Sequence, residues 1–276
     1  MEFGMPTLAE NRSIAENIAL CRRLGLRFIE LNMNLPEYQV HRLAEAETLI
    51  AAAGEAGIYY TVHLDENLDI ADFNPLVSEA YLETVRRTVL AAKKLLVLRD
   101  RFGDSPLPLT LNMHISHGIH FTLPDRKVRL YERDHDAYMR SYAVFREKVE
   151  SWISGADLKI AVENTDGFSE LEKKAVDFLL ESPCFGLTWD IGHAKAAGER
   201  DVPFILEHQS DLCHFHIHDG TEHPARNHLA LGDGEIDLAQ RLCLAERLNA
   251  RCVLETKTAE ALEQSVTYLR EMGYAV

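Results

Sequence analysis

The sequence has little positive charge and no long apolar run. Its 276 residues include 29 lysines and arginines against 44 aspartates and glutamates, which gives a formal net charge of −15 at pH 7. This surplus of negative charge disfavours non-specific attraction to nucleic acid or to anionic lipid. The first residues, MEFGMPTLAENRS, lack the basic and apolar regions of a secretory signal, and no apolar run is long enough to suggest a membrane span. We therefore expect neither a nucleic-acid partner nor a membrane partner.

Cysteines are few, and they are not arranged in pairs. The five cysteines are Cys21, Cys184, Cys213, Cys243 and Cys252. Their number is odd, and no two of them form a CxxC motif. Cys213 and Cys252 lie in apolar runs, where a cysteine usually behaves as a small buried hydrophobic residue. This usage is typical of a reducing compartment, so the sequence predicts a cytoplasmic protein.

Short strand-like runs alternate regularly with longer helix-like stretches. Apolar residues recur at three- and four-residue spacing in segments such as SIAENIALCRRLG and LVSEAYLETVRRTVLAAKKLL, which is the pattern of amphipathic helices. The eight predicted strands are EFGMPT (2–7), RFIELNM (27–33), YYTVHLD (59–65), LTLNMHIS (109–116), LKIAVENT (158–165), FGLTWDIGH (185–193), LCHFHIHDG (212–220) and ARCVLETK (250–257). Eight such units with no leftover sequence predict a single α/β domain over residues 1–276, a closed (β/α)8 TIM barrel.

Most connections between the predicted elements are short, and glycines mark the ends of helices. Gly25 and Gly57 stand where a helix C-terminus commonly needs a left-handed residue. Two connections are longer, residues 117–133 after the fourth strand and residues 219–237 after the seventh. Because loops that follow strands lie on the catalytic face of such a barrel, both are predicted to cover the substrate.

Potential metal ligands stand at the carboxyl ends of six successive strands. They are His63, His114, Glu163, Asp190, His216 and Glu255. Alone, a carboxylate at a strand end would be assigned to a helix cap or to the surface, and a lone histidine to a structural role. Strand ends of a barrel meet at one mouth, however, so six such residues in succession favour a metal site. Carboxylates gathered in a partly dry site repel each other unless a cation neutralises them. Clustered carboxylates and imidazoles suit divalent transition metals.

Three histidines alternate in the segment CHFHIHDG, and alternate residues of a strand share one face. His216 lies near the strand end, where a metal ligand is expected. His214 lies one residue pair deeper, so we expect a hydrogen-bonded interior residue there. His218 lies one pair higher and is predicted to reach the substrate. Lys257 lies two residues beyond Glu255 on the same face, and it is either a substrate-binding residue or an exposed surface lysine.

The segments IAVENT, LTWDIGHAKAAGE, HFHIHDG, LALGDGEID and VLET, in this order and spacing, resemble the xylose-isomerase-like barrel superfamily over nearly the whole chain. That superfamily contains the AP endonuclease family, which is endonuclease IV-like, and the isomerases and epimerases of sugars and sugar phosphates. The D-x-x-H motif (Asp190, His193) followed by H-x-x-D (His216, Asp219) is fairly specific to the superfamily. It is much less specific for one reaction within it.

The resemblance to the ketose epimerases implies one divalent metal ion at the strand ends. The residues that match the ligands of that family are Glu163, Asp190, His216 and Glu255. In that family the two glutamates also serve as the catalytic acid and base. The resemblance further implies that His193 contacts the substrate and that Arg226, in the loop after the seventh strand, binds substrate hydroxyls.

The resemblance to the endonucleases implies instead three zinc ions and abasic DNA. The histidines that match the extra zinc ligands are His63, His114, His193 and His228. The aspartate that this family places two residues before the last of them is Arg226 here, and a guanidinium cannot bind a cation. The segment MPTLAENRS replaces a Gly-rich stretch that packs against DNA. We therefore expect one or two ions, the second held by His63, His114 and a bridging Glu163, and we assign His228 to substrate binding.

Together these features predict a metal-dependent isomerase or epimerase of a sugar or sugar phosphate. It would act by proton transfer next to a carbonyl through a metal-stabilised enediolate. The expected cofactor is Zn²⁺, Mn²⁺, Mg²⁺ or Co²⁺, and the expected partner is a small carbohydrate, with self-association into a homo-oligomer left open. Three alternatives also stay open: a phosphodiesterase acting on abasic DNA, a metal-dependent dehydratase of the same superfamily, and a non-catalytic barrel that senses or carries a small ligand.

Overall fold

Eight parallel strands close into a barrel in the computed structural model, which describes residues 1–276. Numbered along the chain, they are β1 (Glu2–Pro6), β2 (Phe28–Asn32), β3 (Tyr59–His63), β4 (Leu109–His114), β5 (Leu158–Glu163), β6 (Phe185–Asp190), β7 (Leu212–Ile217) and β8 (Arg251–Leu254). Each strand pairs with its successor, and β8 pairs with β1 to close the barrel. The predicted (β/α)8 TIM barrel is confirmed.

Helices follow the strands and surround the barrel. They are α1 (Ile14–Leu24), α2 (Val40–Leu43), α3 (Ala46–Ala56), α4 (Pro75–Phe102), α5 (Leu130–Arg133), α6 (His135–Ile153), α7 (Glu170–Leu180), α8 (Ile191–Ala196), α9 (Val202–Glu207), α10 (Leu238–Arg247) and α11 (Ala259–Glu271). Gly25 and Gly57 end α1 and α3 in the left-handed conformation, as predicted, with φ of 82° and 72°. None of the helices combines the length and the apolar character needed to cross a bilayer.

The lower half of the barrel interior holds large side chains and a buried ion pair. The Arg251 guanidinium donates to the Tyr59 hydroxyl at 3.0 Å, and that hydroxyl donates to Glu2 Oε2 at 2.7 Å. Gly4 leaves room for Phe28, because a Cβ at this position would lie 2.6 Å from the phenyl ring. With the bottom filled in this way, the open end of the barrel is the end at which the strands terminate.

The strand ends lie earlier than the sequence suggests. The predicted strand 185–193 stops at Asp190, because Asp190 is the N-cap of α8 and His193 lies inside that helix. The predicted strand 212–220 stops at Ile217. The two long connections are not plain loops, since each contains a two-stranded antiparallel hairpin, His120–Thr122 with Lys127–Arg129 and Asp219–Thr221 with Arg226–Leu229.

Candidate active site

Four predicted metal ligands converge at the mouth of the barrel. Their candidate ligand atoms all lie within 4.8 Å of one another, and all four residues are buried: Glu163, Asp190, His216 and Glu255. His216 Nδ1 is 3.3 Å from Glu163 Oε1, 3.2 Å from Glu255 Oε2 and 3.8 Å from Asp190 Oδ2. The pairing of β6 with β7 sets this geometry, because Asp190 stands directly opposite His216 in the register. We call these four residues the carboxylate cluster.

Several buried atoms of the carboxylate cluster have no hydrogen-bond partner. They are Glu163 Oε1, His216 Nδ1 and Glu255 Oε2. Buried polar atoms are almost always satisfied, so three that face the same space call for an explanation. A divalent cation accepts lone pairs from carboxylates and imidazole together. The residues present therefore fit a metal ion in this space.

The charges of the carboxylate cluster shift its pKa values in opposite directions. Burial alone would raise the pKa of Glu163 and of Glu255, but the charge of His216 lowers both pKa values well below their usual range. Burial alone would lower the pKa of His216, but the surrounding carboxylates raise this pKa well above its usual range. The three carboxylates thus favour a positive charge at the mouth of the barrel, which is the charge that a bound cation would supply.

The structure corrects the role predicted for His218. This side chain has no exposed surface, and its two ring nitrogens are engaged by the protein. Its Nδ1 accepts from the backbone N–H of His228 at 2.7 Å, so the proton sits on Nε2, which donates to Asp190 Oδ2 at 2.9 Å. Gly192 packs directly on the ring, since a Cβ there would lie 2.0 Å from it. His218 therefore positions Asp190 and is not available to a substrate. By contrast, the expectation that His214 is a hydrogen-bonded interior residue is confirmed.

His193 and His228 meet beside the carboxylate cluster. His228 Nδ1 donates to the backbone oxygen of Glu255 at 2.9 Å, which leaves its Nε2 as an acceptor. His193 Nε2 lies 3.3 Å from that atom and donates to it. His193 Nδ1 therefore keeps its lone pair, and it lies 3.8 Å from Glu163 Oε1. This nitrogen is buried, has no hydrogen-bond partner and faces the cluster, while the His193 side chain as a whole is 16% exposed.

His63 and His114 approach the other oxygen of Glu163. Their Nε2 atoms lie 3.6 Å and 3.2 Å from Glu163 Oε2. The side-chain amide of Asn112 also donates to this oxygen. Hydrogen bonding and the charge of Glu163 outweigh burial and raise the pKa of His63 to about 9. The structure thus brings together the residues predicted for a second ion, although Asn112 already satisfies the oxygen that would bridge the two ions.

Glu30 is a buried carboxylate beside the candidate site that was not among the predicted site residues. It is 1% exposed and lies on β2, below the carboxylate cluster. Its Oε1 is 2.8 Å from His216 Nε2, and its Oε2 is 2.9 Å from His214 Nε2. The two histidine charges outweigh the effect of burial and lower the pKa of Glu30 below its usual range. The signal in the sequence is a lone glutamate inside the otherwise apolar segment FIEL.

The remaining predicted site residues lie at the rim of the mouth. Lys257 Nζ donates to Glu255 Oε1 at 2.9 Å, and about half of the lysine side chain is exposed. Arg226 is exposed on the hairpin 219–229 and lies away from the carboxylate cluster. It lines a cavity of ≈ 350 Å³ together with His193, which in turn lies beside the carboxylate cluster.

Comparisons with known proteins agree with this architecture. The family model described as a xylose isomerase-like TIM barrel matches residues 18–272. Among solved structures, a D-tagatose 3-epimerase-like protein superposes with a TM-score of 0.75 at 20% identity, covering 98% of this chain and 96% of that chain. A 3-keto-D-glucoside 4-epimerase from E. coli gives 0.72 at 17% identity, covering 98% and 99%. A D-allulose 3-epimerase from Methylomonas sp., solved with D-allulose, gives 0.67 at 15% identity, covering 99% and 97%.

No curated protein sequence matches the chain. At identities as low as those of the solved structures, the likeness shows the fold alone. What the site does must therefore be argued from its own residues.

Proposed function

Because the chain belongs to the xylose isomerase-like TIM-barrel family, we propose that it is a metal-dependent isomerase or epimerase of a sugar or sugar phosphate. The observation that carries this proposal is the carboxylate cluster, whose ligand atoms lie within 4.8 Å of one another at the mouth of the barrel. The names of the structural neighbours, which are sugar epimerases, support a carbohydrate as the substrate.

The cluster would hold one divalent ion through four side chains, Glu163, Asp190, His216 and Glu255. Three carboxylates and a neutral imidazole leave a charge of about −1 around such an ion, which is a plausible balance for a stable site. When bound, the ion supplies Lewis-acid stabilisation of the negative charge that develops on a substrate oxygen. His218 keeps Asp190 oriented through its 2.9 Å hydrogen bond.

The two glutamates are the proposed acid and base. Each presents one unpartnered oxygen to the cluster, Glu163 Oε1 and Glu255 Oε2. Each has its other oxygen held by a donor, Asn112 for Glu163 and Lys257 for Glu255. One glutamate would take the proton from the carbon next to a carbonyl, and the other would return a proton. Two such glutamates suit a reaction that moves a proton between two carbons of the substrate or between the two faces of one carbon.

Side chains around the mouth would bind and orient the substrate. His193 offers its unpartnered Nδ1, which is an acceptor for a substrate hydroxyl. Lys257 and Arg226 offer donors from the rim. His228 holds the His193 ring by accepting from its Nε2 at 3.3 Å, so we assign His228 to orienting His193. Such positioning fixes the carbon that loses its proton relative to the glutamates.

Solvent isotope exchange tests the proposed function. The metal-loaded protein, incubated in deuterated water with a panel of ketoses and ketose phosphates, is expected to incorporate deuterium next to the carbonyl of at least one of them. Glu163→Gln should lower the exchange rate by about 10²- to 10⁴-fold, because it removes the base, while calorimetry still detects metal binding. Glu172→Gln, which changes a buried carboxylate outside the cluster, is the matched control and should exchange normally. Absence of exchange over the whole panel would refute the proposal.

One observation favours a second candidate function. His63 and His114 lie close to Glu163 Oε2, as a phosphodiesterase with more than one ion requires. This function predicts incision of an abasic duplex at low salt, and the metal-loaded protein should be tested for it. If the duplex is neither cut nor bound in a salt-dependent manner, this candidate is removed.

A further inference from the structure

We propose that the cavity beside the carboxylate cluster binds an anionic group, a phosphate ester or a carboxylate, at the end of the substrate remote from the reacting carbons. This inference rests on the function proposed above and specifies the class of substrate. The cavity has a volume of ≈ 350 Å³. Its polar lining consists of Thr165, Asp166, His193, Arg200, Arg226 and Asn227. We call it the arginine cavity.

Arg200 is held in the wall of the arginine cavity by backbone atoms alone. Its Nε donates to the backbone oxygen of Ala197 at 2.9 Å, and one terminal nitrogen donates to the backbone oxygen of Asp166 at 2.7 Å. Gly167 packs against the guanidinium, because a Cβ there would lie 3.2 Å from the same nitrogen. No carboxylate lies within 4 Å of the guanidinium, so the group is fixed while its charge is not neutralised. A fixed, unpaired guanidinium presents its remaining donors in the fork geometry that phosphate and carboxylate groups match.

Arg226 contributes a second free guanidinium from the hairpin 219–229. Its side chain makes no hydrogen bond and no ion pair. Asp166 is the only acidic residue that lines the arginine cavity, so two positive charges face one negative charge. This local excess stands out in a chain with a net charge of −15. Because an acidic protein repels anions overall, a positively charged cavity concentrates them at this one place.

The arginine cavity adjoins the carboxylate cluster at His193. This histidine lines the cavity, and its Nδ1 lies 3.8 Å from both Glu163 Oε1 and Asp190 Oδ2. A substrate with its reacting carbons at the cluster and a chain long enough to pass His193 would reach the two arginines. Two unpaired guanidinium groups favour an anionic group at that end of the substrate.

A neighbouring cavity of ≈ 450 Å³ provides a comparison for the proposed anion site. Arg200 also lines this second cavity, together with Arg129 and His117. There, however, the positively charged groups other than Arg200 already have partners, because Arg129 lies 3.9 Å from Glu132 and His117 lies 2.8 Å from Glu172. A paired cation offers less to an incoming anion. Arg129 therefore provides a matched control, an arginine that borders the next cavity and carries no role in the proposal.

Binding to the metal-loaded protein tests this inference without requiring turnover. Calorimetry would compare a neutral ketose, the same ketose with a terminal phosphate, and the corresponding sugar acid with a terminal carboxylate. Each would be titrated into the wild type and into Arg200→Met, Arg226→Met and Arg129→Met. One charge-assisted hydrogen bond corresponds to about a 10- to 100-fold change in Kd. We expect at least one of the two anionic sugars to bind more tightly than the neutral ketose.

We expect Arg200→Met and Arg226→Met to weaken the binding of that anionic sugar about 10- to 100-fold, and Arg129→Met to leave it unchanged. Arg226→Met keeps the test valid if Arg200→Met does not fold, because Arg226 makes no contact that folding needs. The sugar that shows the effect identifies the anion as a phosphate or a carboxylate. Equal binding of neutral and anionic sugars by the wild type, or equal losses in all three variants, would overturn the inference. An arginine-dependent affinity without any deuterium exchange would support the cavity and refute the proposed reaction.

Discussion

Replacing Glu30 by glutamine should weaken metal binding although Glu30 lies outside the carboxylate cluster. Glu30 Oε1 accepts from His216 Nε2 at 2.8 Å, and this bond decides which nitrogen of His216 faces the carboxylate cluster. With the proton on Nε2, the lone pair of Nδ1 points between Glu163 and Glu255. A carboxylate in this position also makes the imidazole a better ligand. Glutamine keeps the shape of the side chain and one carbonyl acceptor, but it removes the charge.

The size of the effect follows from the hydrogen bonds that change. A hydrogen bond to a charged group contributes about 1.5–3 kcal/mol, and a bond between neutral groups about 0.5–1.5 kcal/mol. The substitution therefore lowers the support given to His216 by about 1–1.5 kcal/mol, which corresponds to about a tenfold rise in Kd for the metal. Alanine would be a poorer test, because it leaves buried nitrogens of His214 and His216 without an acceptor and destabilises the fold itself.

Calorimetric titration of the chelator-treated protein with Mn²⁺ or Zn²⁺ measures this Kd. Glu172→Gln is the matched control, because Glu172 is 3% exposed, lies 2.8 Å from a histidine nitrogen of His117 and has no contact with the carboxylate cluster. We expect about a tenfold weaker metal affinity for Glu30→Gln and an unchanged affinity for Glu172→Gln. If Glu30→Gln binds the metal as tightly as the wild type while remaining folded, the reasoning about His216 is refuted.

Three further predictions concern stability. A divalent ion at about 100 times its Kd should raise the free energy of unfolding by about 2.7 kcal/mol, or Tm by roughly 5–10 °C; a calorimetric scan showing no shift would contradict the metal site. Glu172 raises the pKa of His117 above its ordinary value of 6.5, so the folded state binds the His117 proton more tightly than the unfolded state does. The pair therefore stabilises the fold fully below pH 6.5, and this stabilisation is lost as the pH rises through the raised pKa. His117→Gln should therefore unfold in urea about 0.5–1 kcal/mol more easily at pH 6 and equally at pH 9, and the reverse order would count against the pair. Arg251→Met leaves Glu2 and Tyr59 buried without their partner, so urea titration should show a loss of about 3–5 kcal/mol; a loss under 1 kcal/mol would argue against a stabilising role.

The fold could be predicted from the sequence because the periodicity of strands and helices is local. The convergence of Glu163, Asp190, His216 and Glu255 could be predicted because the strand ends of a closed barrel meet at one mouth. The sequence did not predict the contacts that depend on how deep a residue lies in the barrel. Glu30 and His216 are far apart in the chain. Only the stagger of the strands in the closed barrel places the Glu30 carboxylate below the His216 imidazole. The prediction that His218 reaches the substrate was wrong for a related reason. Its height above His216 suggested access to the substrate, but α8 begins immediately after Asp190 and places Gly192 on the ring.

The three alternating histidines show why a shared face does not imply a shared role. His214 and His216 present Nε2 atoms to the two oxygens of the same Glu30 carboxylate, at 2.9 Å and 2.8 Å. Of these two, only His216 presents its second nitrogen to the other residues of the carboxylate cluster, because His214 lies one layer deeper. His218, one layer higher, reaches Asp190 with Nε2 because the backbone N–H of His228 already occupies its Nδ1. The role of each ring thus depends on which of its nitrogens is hydrogen-bonded to neighbouring parts of the chain. Alternation along one strand cannot specify those bonds.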